Sequence, residues 1–140
     1  MTKVDFYILD SVKPADALQY CCRLAEKALK SGMGIYIHCR SAEQAAELDD
    51  LLWSFSAESF VPHALKAPEA KTRVVIGSDS SAPEAAELLI NLAAEIPDFF
   101  SRFQRVAEIV CQEQRWLLPS RGRYRFYKDR GYPLKTHKIV

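Results

Sequence analysis

His38 and Cys39 are the neighbouring residues whose types best suit covalent catalysis, because a histidine can activate a cysteine thiol. Both stand at the end of a predicted strand. Neighbouring residues of a strand point to opposite faces, so these two side chains are not expected to share a hydrogen bond. We therefore predict structural roles for both. An enzyme that uses them is the third functional hypothesis, ranked below the two binding functions described below.

Other catalytic and cofactor motifs are absent from the sequence. The Gly32-Met33-Gly34 triplet follows a helix and enters a strand, whereas a dinucleotide fingerprint follows a strand, and no P-loop pattern occurs. The four cysteines show no Cys-x-x-Cys spacing, so neither a zinc site nor a disulfide framework is predicted. We expect no catalytic residues, no cofactor, no metal and no small-molecule substrate.

Charge is distributed unevenly along the chain. Residues 1–114 carry 11 Lys and Arg against 17 Asp and Glu, and residues 115–140 carry 8 against 1. A basic segment on an acidic body indicates an anionic partner. From Arg121 to Tyr132 arginines alternate with aromatic residues. This pattern suits single-stranded nucleic acid, whose bases stack on rings, and equally an acidic peptide, whose carboxylates pair with arginines.

Aromatic residues also gather after the second predicted helix. Trp53 ends that helix, and Phe55 and Phe60 lie in the loop that follows. Loops lie on the surface, and aromatic anchors dominate protein interfaces. We predict an interaction surface for Trp53 and Phe60, whereas Phe55 suits the core and the surface equally.

Hydrophobic periodicity places these residues on alternating strands and helices. The predicted strands are Val4–Leu9, Ile35–Cys39, Arg73–Gly77 and Val106–Cys111. A helix is predicted from Pro14 to Leu29, a second after the Ser41–Gln44 capping box, and a third over 112–130 with an interruption at Pro119. Residues 84–96 fit a helix or a strand.

This order of elements predicts an α/β fold, with a mostly parallel central sheet flanked by helices. The length of 140 residues fits one domain, residues 1–140. No window reaches the apolar length of a membrane helix, and Asp5 and Asp10 interrupt the amino-terminal stretch where a signal peptide would be apolar. We therefore expect a cytoplasmic protein without a membrane partner.

Three blocks of the sequence resemble the chi subunit of bacterial DNA polymerase III. They are the opening Val4–Asp10, the block Leu52–His63 and the ending from Arg123 to Leu134. The string Ala-Glu-Ser-Phe-Val-Pro-His at 57–63 is the most specific piece, and together the blocks span nearly the whole chain.

The resemblance implies a non-catalytic accessory subunit of the clamp-loader assembly, with a Rossmann-like fold that has no nucleotide site. One surface would hold the psi subunit, which tethers chi to the clamp loader. Another would grip the acidic, phenylalanine-ended tail of single-stranded DNA-binding protein, so that DNA is contacted only indirectly. The resemblance also implies that residues 88–92 form a strand.

Carried over residue by residue, the resemblance assigns the tail pocket to five residues, Trp53, Val110, Leu117, Arg121 and Arg125, with Arg123 as further positive charge nearby. An arginine would clamp the terminal carboxylate, and Trp53 and Val110 would receive the phenyl ring. Leu117 stands where the family is expected to carry a further basic residue.

The psi surface is assigned to three residues of the loop after the second helix, Phe60, Val61 and Pro62. Direct binding of single-stranded nucleic acid by the basic segment remains the alternative function.

Overall fold

Seven parallel strands form the central sheet in the part of the chain that the structure describes. The computed structural model describes residues 1–56, 61–65, 72–79 and 82–140. Its strands are β1 (Lys3–Leu9), β2 (Ile35–His38), β3 (His63–Leu65), β4 (Val74–Gly77), β5 (Leu88–Asn91), β6 (Arg105–Val110) and β7 (Leu134–Ile139). They lie in the order β3-β4-β2-β5-β6-β1-β7, with every pair parallel. The predicted α/β fold is confirmed.

Three helices cover the two faces of this sheet. They are α1 (Pro14–Lys30), α2 (Ala42–Ser54) and α3 (Gln114–Asp129). Side chains of a strand alternate between faces, so Ile35 and Ile37 pack in the cluster under α1 and α2, whereas Tyr36 packs in the cluster that contains Tyr127 of α3. We call these the first face and the second face.

The first two helices begin where the sequence predicts. Pro14 occupies the first turn of α1, and the buried Cys21, Cys22 and Ala25 turn towards the first face. The Oγ of Ser41 accepts the backbone N–H of Gln44 at 3.1 Å, as expected for the N-cap of α2. Within the described residues, no helix is long and apolar enough to span a bilayer.

The interruption predicted at Pro119 is wrong, because α3 continues through it. The helix begins at Gln114, after Glu113 accepts the N–H of Arg115 at 2.8 Å as the N-cap. Pro119 therefore removes the N–H that would reach the carbonyl of Arg115, and the remaining hydrogen bonds continue the helix.

Two strands are absent from the sequence prediction. β3 has three residues at one edge of the sheet, and β7 pairs with β1 at the other. The ring of His137 in β7 stacks on Tyr7 at 4.7 Å, and its Nε2 lies 2.9 Å from Oδ1 of Asp5. The strand implied over 88–92 is confirmed as β5.

Candidate functional site

The outward face of α3 carries four residues that recur four, three and four positions apart. They are Leu117, Arg121, Tyr124 and Lys128, and residues at this spacing share one face of a helix. Arg121 and Lys128 are exposed, and Tyr124 is 37% exposed. We call these four residues the α3 stripe.

Apolar side chains form the floor beneath the stripe. The ring of Tyr124 meets the buried Phe6 of β1 edge-on, with 5.2 Å between ring centroids. Leu117 packs against the second-face cluster, which also contains Val110 and Ile8. The stripe thus offers two cations above an apolar floor, which suits a ligand that carries both a carboxylate and a hydrophobic group.

A buried polar network sets the rotation of α3 on the sheet. Glu108 of β6 has no exposed surface, and its carboxylate accepts hydrogen bonds from Arg123 at 2.9 Å and from Tyr127 at 2.8 Å. The Nδ2 of Asn91 donates to the same carboxylate at 3.1 and 3.2 Å. Burial raises the pKa of Glu108, and the Arg123 guanidinium opposes that shift. The expectation that Arg123 adds positive charge at the tail pocket is therefore wrong, because its guanidinium is buried against Glu108. Because Arg123 and Tyr127 turn inwards, the α3 stripe faces solvent.

Of the five residues predicted for the tail pocket, Leu117, Arg121 and Arg125 lie together on α3. Arg125 is exposed one turn after Arg121 and adds a third positive charge beside the stripe. Val110 belongs to the cluster against which Leu117 packs, and at 1% exposure it offers almost no surface to a ligand.

Trp53 lies elsewhere. It belongs to α2, on the first face, and its ring centroid is 4.4 Å from that of His63 in β3. The side chain of Val110 lies in β6 on the second face. β3 and β6 are four strands apart, about 19 Å, since neighbouring strands lie about 4.8 Å apart. The structure therefore does not bring Trp53 and Val110 into one ring-sized pocket.

Trp53 instead belongs to an apolar surface at the β3 edge of the sheet. Its side chain is 55% exposed. Leu65 lies two positions after His63, on the same side of β3, and is 43% exposed. Pro62, just before β3, is also exposed. We call Trp53, Pro62 and Leu65 the α2–β3 patch. Of the predicted psi residues, Val61 is buried in the first-face core and Phe60 lies outside the described residues.

The buried ring of His63 fixes the position of the α2–β3 patch. Its Nδ1 lies 2.6 Å from the carbonyl oxygen of Val61, and its Nε2 lies 3.0 Å from the carbonyl oxygen of Asp49 in α2. The ring therefore links the start of β3 to α2, and it supports the exposed indole of Trp53.

His38 and Cys39 turn to opposite faces, as predicted. The Nδ1 of His38 lies 3.5 Å from the hydroxyl of Tyr36, and its ring meets Phe99 edge-on. Cys39 packs in the first-face core, where burial raises its pKa to about 12. A thiol with that pKa is protonated at neutral pH and is a poor nucleophile.

Comparison with known proteins places the whole chain in one family. The family model of the DNA polymerase III chi subunit, HolC, matches residues 1–135. The chain is 45% identical over 139 residues to the DNA polymerase III subunit chi of Pseudomonas aeruginosa, covering 99% of this chain and 98% of the relative. The chain belongs to the chi subunit family. It is also 33% identical over 143 residues to the Escherichia coli chi subunit, covering 97% of each chain.

Solved structures similar to this chi-family protein show its fold alone. T4 UvsW matches with a TM-score of 0.69 and 8% identity, over 99% of this chain and 41% of that one. A DEAD-box helicase domain 2 bound to an RNA duplex matches with a TM-score of 0.69 and 10% identity, over 99% of this chain and 64% of that one.

Tyr124 and Lys128 complete the stripe, and the sequence prediction of the tail pocket did not include them. The signal that could have identified both is their spacing of seven and eleven positions after Leu117, which returns to the same helix face.

Proposed function

We propose that this chi-family protein is a non-catalytic accessory subunit of DNA replication that joins two partners. The psi subunit binds one surface and tethers the protein to the clamp loader. The acidic tail of single-stranded DNA-binding protein binds the other. The observation that carries the proposal is the separation of the α3 stripe from the α2–β3 patch, which lie on opposite faces of the sheet and towards different edges.

The chemistry of the α3 stripe supports the tail as its ligand. A terminal phenylalanine combines a carboxylate with a phenyl ring, and the stripe combines the guanidinium of Arg121 with the apolar surface of Leu117 and Tyr124. Lys128 and Arg125 add positive charge for the acidic residues that precede the terminus. Arginine binds carboxylates through two parallel hydrogen bonds, which gives it the leading role.

The α2–β3 patch supports a hydrophobic partner, as expected for psi. Trp53 and Leu65 leave large apolar surfaces in solvent at the edge of the sheet. Trp is among the residues that contribute most to protein interfaces. We assign Trp53 to this surface together with Phe60, Val61 and Pro62, where Val61 acts by supporting the loop from within the core.

Direct binding of single-stranded DNA is the competing function of the basic segment. It requires a series of cations that follow the phosphate backbone, with rings free to stack on bases. Trp116 and Tyr127 are buried, and the guanidinium of Arg130 already covers the ring of Phe126, so Tyr124 is the main ring of α3 left to stack on bases. The peptide hypothesis fits these positions better.

Calorimetric titration with a peptide that copies the acidic, phenylalanine-ended tail tests the proposal. Arg121→Ala is expected to weaken binding about tenfold or more, since it removes a charge-assisted contact to the terminal carboxylate. Arg115→Ala is the matched control, because Arg115 is exposed on the same helix, off the stripe, and pairs with Glu113 at 2.8 Å. Trp53→Ala is expected to leave peptide binding unchanged and to lose psi.

Three results would contradict this assignment. Equal weakening by Arg115→Ala would show a general charge effect and no defined site. Loss of peptide binding in Trp53→Ala would place the indole in the tail pocket after all. Binding of a bare oligonucleotide, with a salt slope that Arg121→Ala reduces, would favour the nucleic-acid function.

A further inference from the structure

A cavity of about 750 Å³ opens at the carboxyl end of the sheet, between β2 and β5. The connection after β2 leads through α2 to β3 on one side, and the connection after β5 leads to β6 on the other. Open α/β sheets bind ligands at the position where the connections from two neighbouring strands lead in opposite directions. The volume also lies in the range of ordinary ligand sites. Neither the α3 stripe nor the α2–β3 patch contributes to this cavity.

Negative charge predominates in the lining. Among the residues that the structure describes, the charged side chains of the lining are Arg40, Asp79, Glu95 and Asp98. The guanidinium of Arg40 lies over the ring of Trp116, 5.3 Å from its centroid, and is thereby drawn towards α3. Burial lowers the pKa of His38, so its ring adds no positive charge at neutral pH. This balance disfavours phosphates and nucleotides and favours a cation.

The lining suits an organic cation better than a metal ion. Within the described residues, no three His, Cys, Asp or Glu side chains come close enough together to hold a metal. The carboxylates of Glu95 and Asp98 are exposed and make no ion pair inside the described part of the chain. Both can therefore receive hydrogen bonds from a ligand.

The lining of the cavity also contains two rings. His38 and Phe99 line the cavity and meet edge-on, with ring centroids 5.7 Å apart at 88°. A guanidinium stacks on aromatic rings and donates five N–H groups in its plane, so it can use the rings and the carboxylates together.

The cavity wall after β5 is held rigid by the buried network. The side chain of Asn91 accepts the N–H of Ala93 at 3.1 Å and donates to the carbonyl of Glu95 at 3.2 Å. Arg123 of α3 donates to the carbonyl of Ala94 at 2.9 Å. Glu95 is therefore presented by a loop whose backbone is already fixed, which lowers the entropy lost on binding.

We propose that this cavity binds an arginine side chain of a partner protein, with the guanidinium between the carboxylates of Glu95 and Asp98 and against the rings of His38 and Phe99. This is a third interaction site, separate from the two surfaces of the proposed function.

NMR titration of the ¹⁵N-labelled protein with a blocked alanine-rich peptide that contains one arginine tests the proposal. Saturable shifts are expected for the amides of residues 38–40, 93–96, 98 and 99. The same peptide with citrulline, which keeps the shape and lacks the charge, is expected to produce none. Agmatine is the second probe, and it tells a free guanidine compound from an arginine of a partner protein. If the ligand is a partner's arginine, the peptide is expected to bind at least as tightly as agmatine.

Paired carboxylate variants locate the binding site. Glu95→Gln with Asp98→Asn is expected to weaken peptide binding about fivefold or more. Glu43→Gln with Glu47→Gln removes two exposed carboxylates from α2, outside the cavity, and is expected to have no effect. Four results would each overturn the proposal. They are equal weakening by both pairs of substitutions, shifts spread over the acidic surface, tighter binding of agmatine than of the peptide, and binding of the citrulline peptide.

Discussion

Among single residues, Arg123 is predicted to matter most for stability. It neutralises Glu108, which has no exposed surface, through an Nε to Oε1 contact of 2.9 Å. Arg123→Met leaves that carboxylate buried without its charge partner, which costs about 3–5 kcal/mol of unfolding free energy. Urea denaturation followed by circular dichroism measures the loss. Arg121→Met, two positions away on the exposed side of α3, is the control and is expected to change stability by less than about 0.5 kcal/mol.

The same substitution predicts a pH dependence with a definite sign. Burial raises the pKa of Glu108 and Arg123 opposes the shift, so removing Arg123 raises that pKa further. A carboxyl whose folded pKa exceeds its unfolded value of about 4.3 favours the fold at low pH, and that contribution is lost as pH rises through the folded pKa. The deficit of Arg123→Met relative to the native protein should therefore grow as pH rises from the folded pKa of Glu108 in the native protein to its higher folded pKa in the variant. A deficit that shrinks over this interval would contradict the prediction.

The thiols provide a further test at the residue scale. All four cysteines are free and buried, and burial raises the pKa of Cys22 and of Cys39 to about 12. A disulfide reagent attacks the thiolate, so at pH 8 the folded protein is expected to react slowly at every position. Four thiols should react at once in denaturant. One fast thiol in the folded protein would revive the hypothesis of a cysteine enzyme.

Among the secondary-structure elements, α3 contains the feature that local rules predict least well. Pro119 lies inside the helix and removes one backbone hydrogen bond. Pro119→Ala is expected to raise the unfolding free energy by about 1 kcal/mol, the contribution of one hydrogen bond, as measured by urea denaturation. Leu118→Ala, at an exposed neighbouring position, should change it little. A destabilised Pro119→Ala variant would indicate that the ring contributes more by packing than it costs.

Interior strands other than β5 could be predicted from their residues, and the strands at the edges of the sheet could not. β2 and β4 consist almost entirely of buried residues paired on both sides, so they appear as short apolar runs. The apolar run of β5 also fits a helix, and only the family resemblance implied a strand there. β7 contains Lys135, Thr136 and Lys138 and is held on one side by β1, while β3 has only three residues. Such edge strands depend on tertiary pairing, and lysine there discourages pairing with another chain.

At the scale of the whole molecule, the sequence relates the candidate site residues that lie on α3 to one another. It does not show which residues of other elements lie near them. Leu117, Arg121 and Arg125 lie on one helix, so helical periodicity already relates them. Trp53 and Val110 are related only through the order of the strands, in which β3 and β6 are four positions apart. Strand order depends on packing between distant segments, and the resemblance to the chi family supplied no distances.

The arrangement of two surfaces leads to one expectation for the assembled complex. The α3 stripe lies on the second face over β1 and β6, and the α2–β3 patch lies on the first face at the opposite edge. Partners bound there do not meet on the protein, so each should bind with nearly the same affinity in the presence of the other.

The most direct test is calorimetric titration of the tail peptide into the protein alone and into its purified complex with psi. One peptide is expected to bind per molecule in both cases, with dissociation constants that agree within about twofold. Loss of peptide binding when psi is bound would contradict it, because the two partners would then compete for one surface.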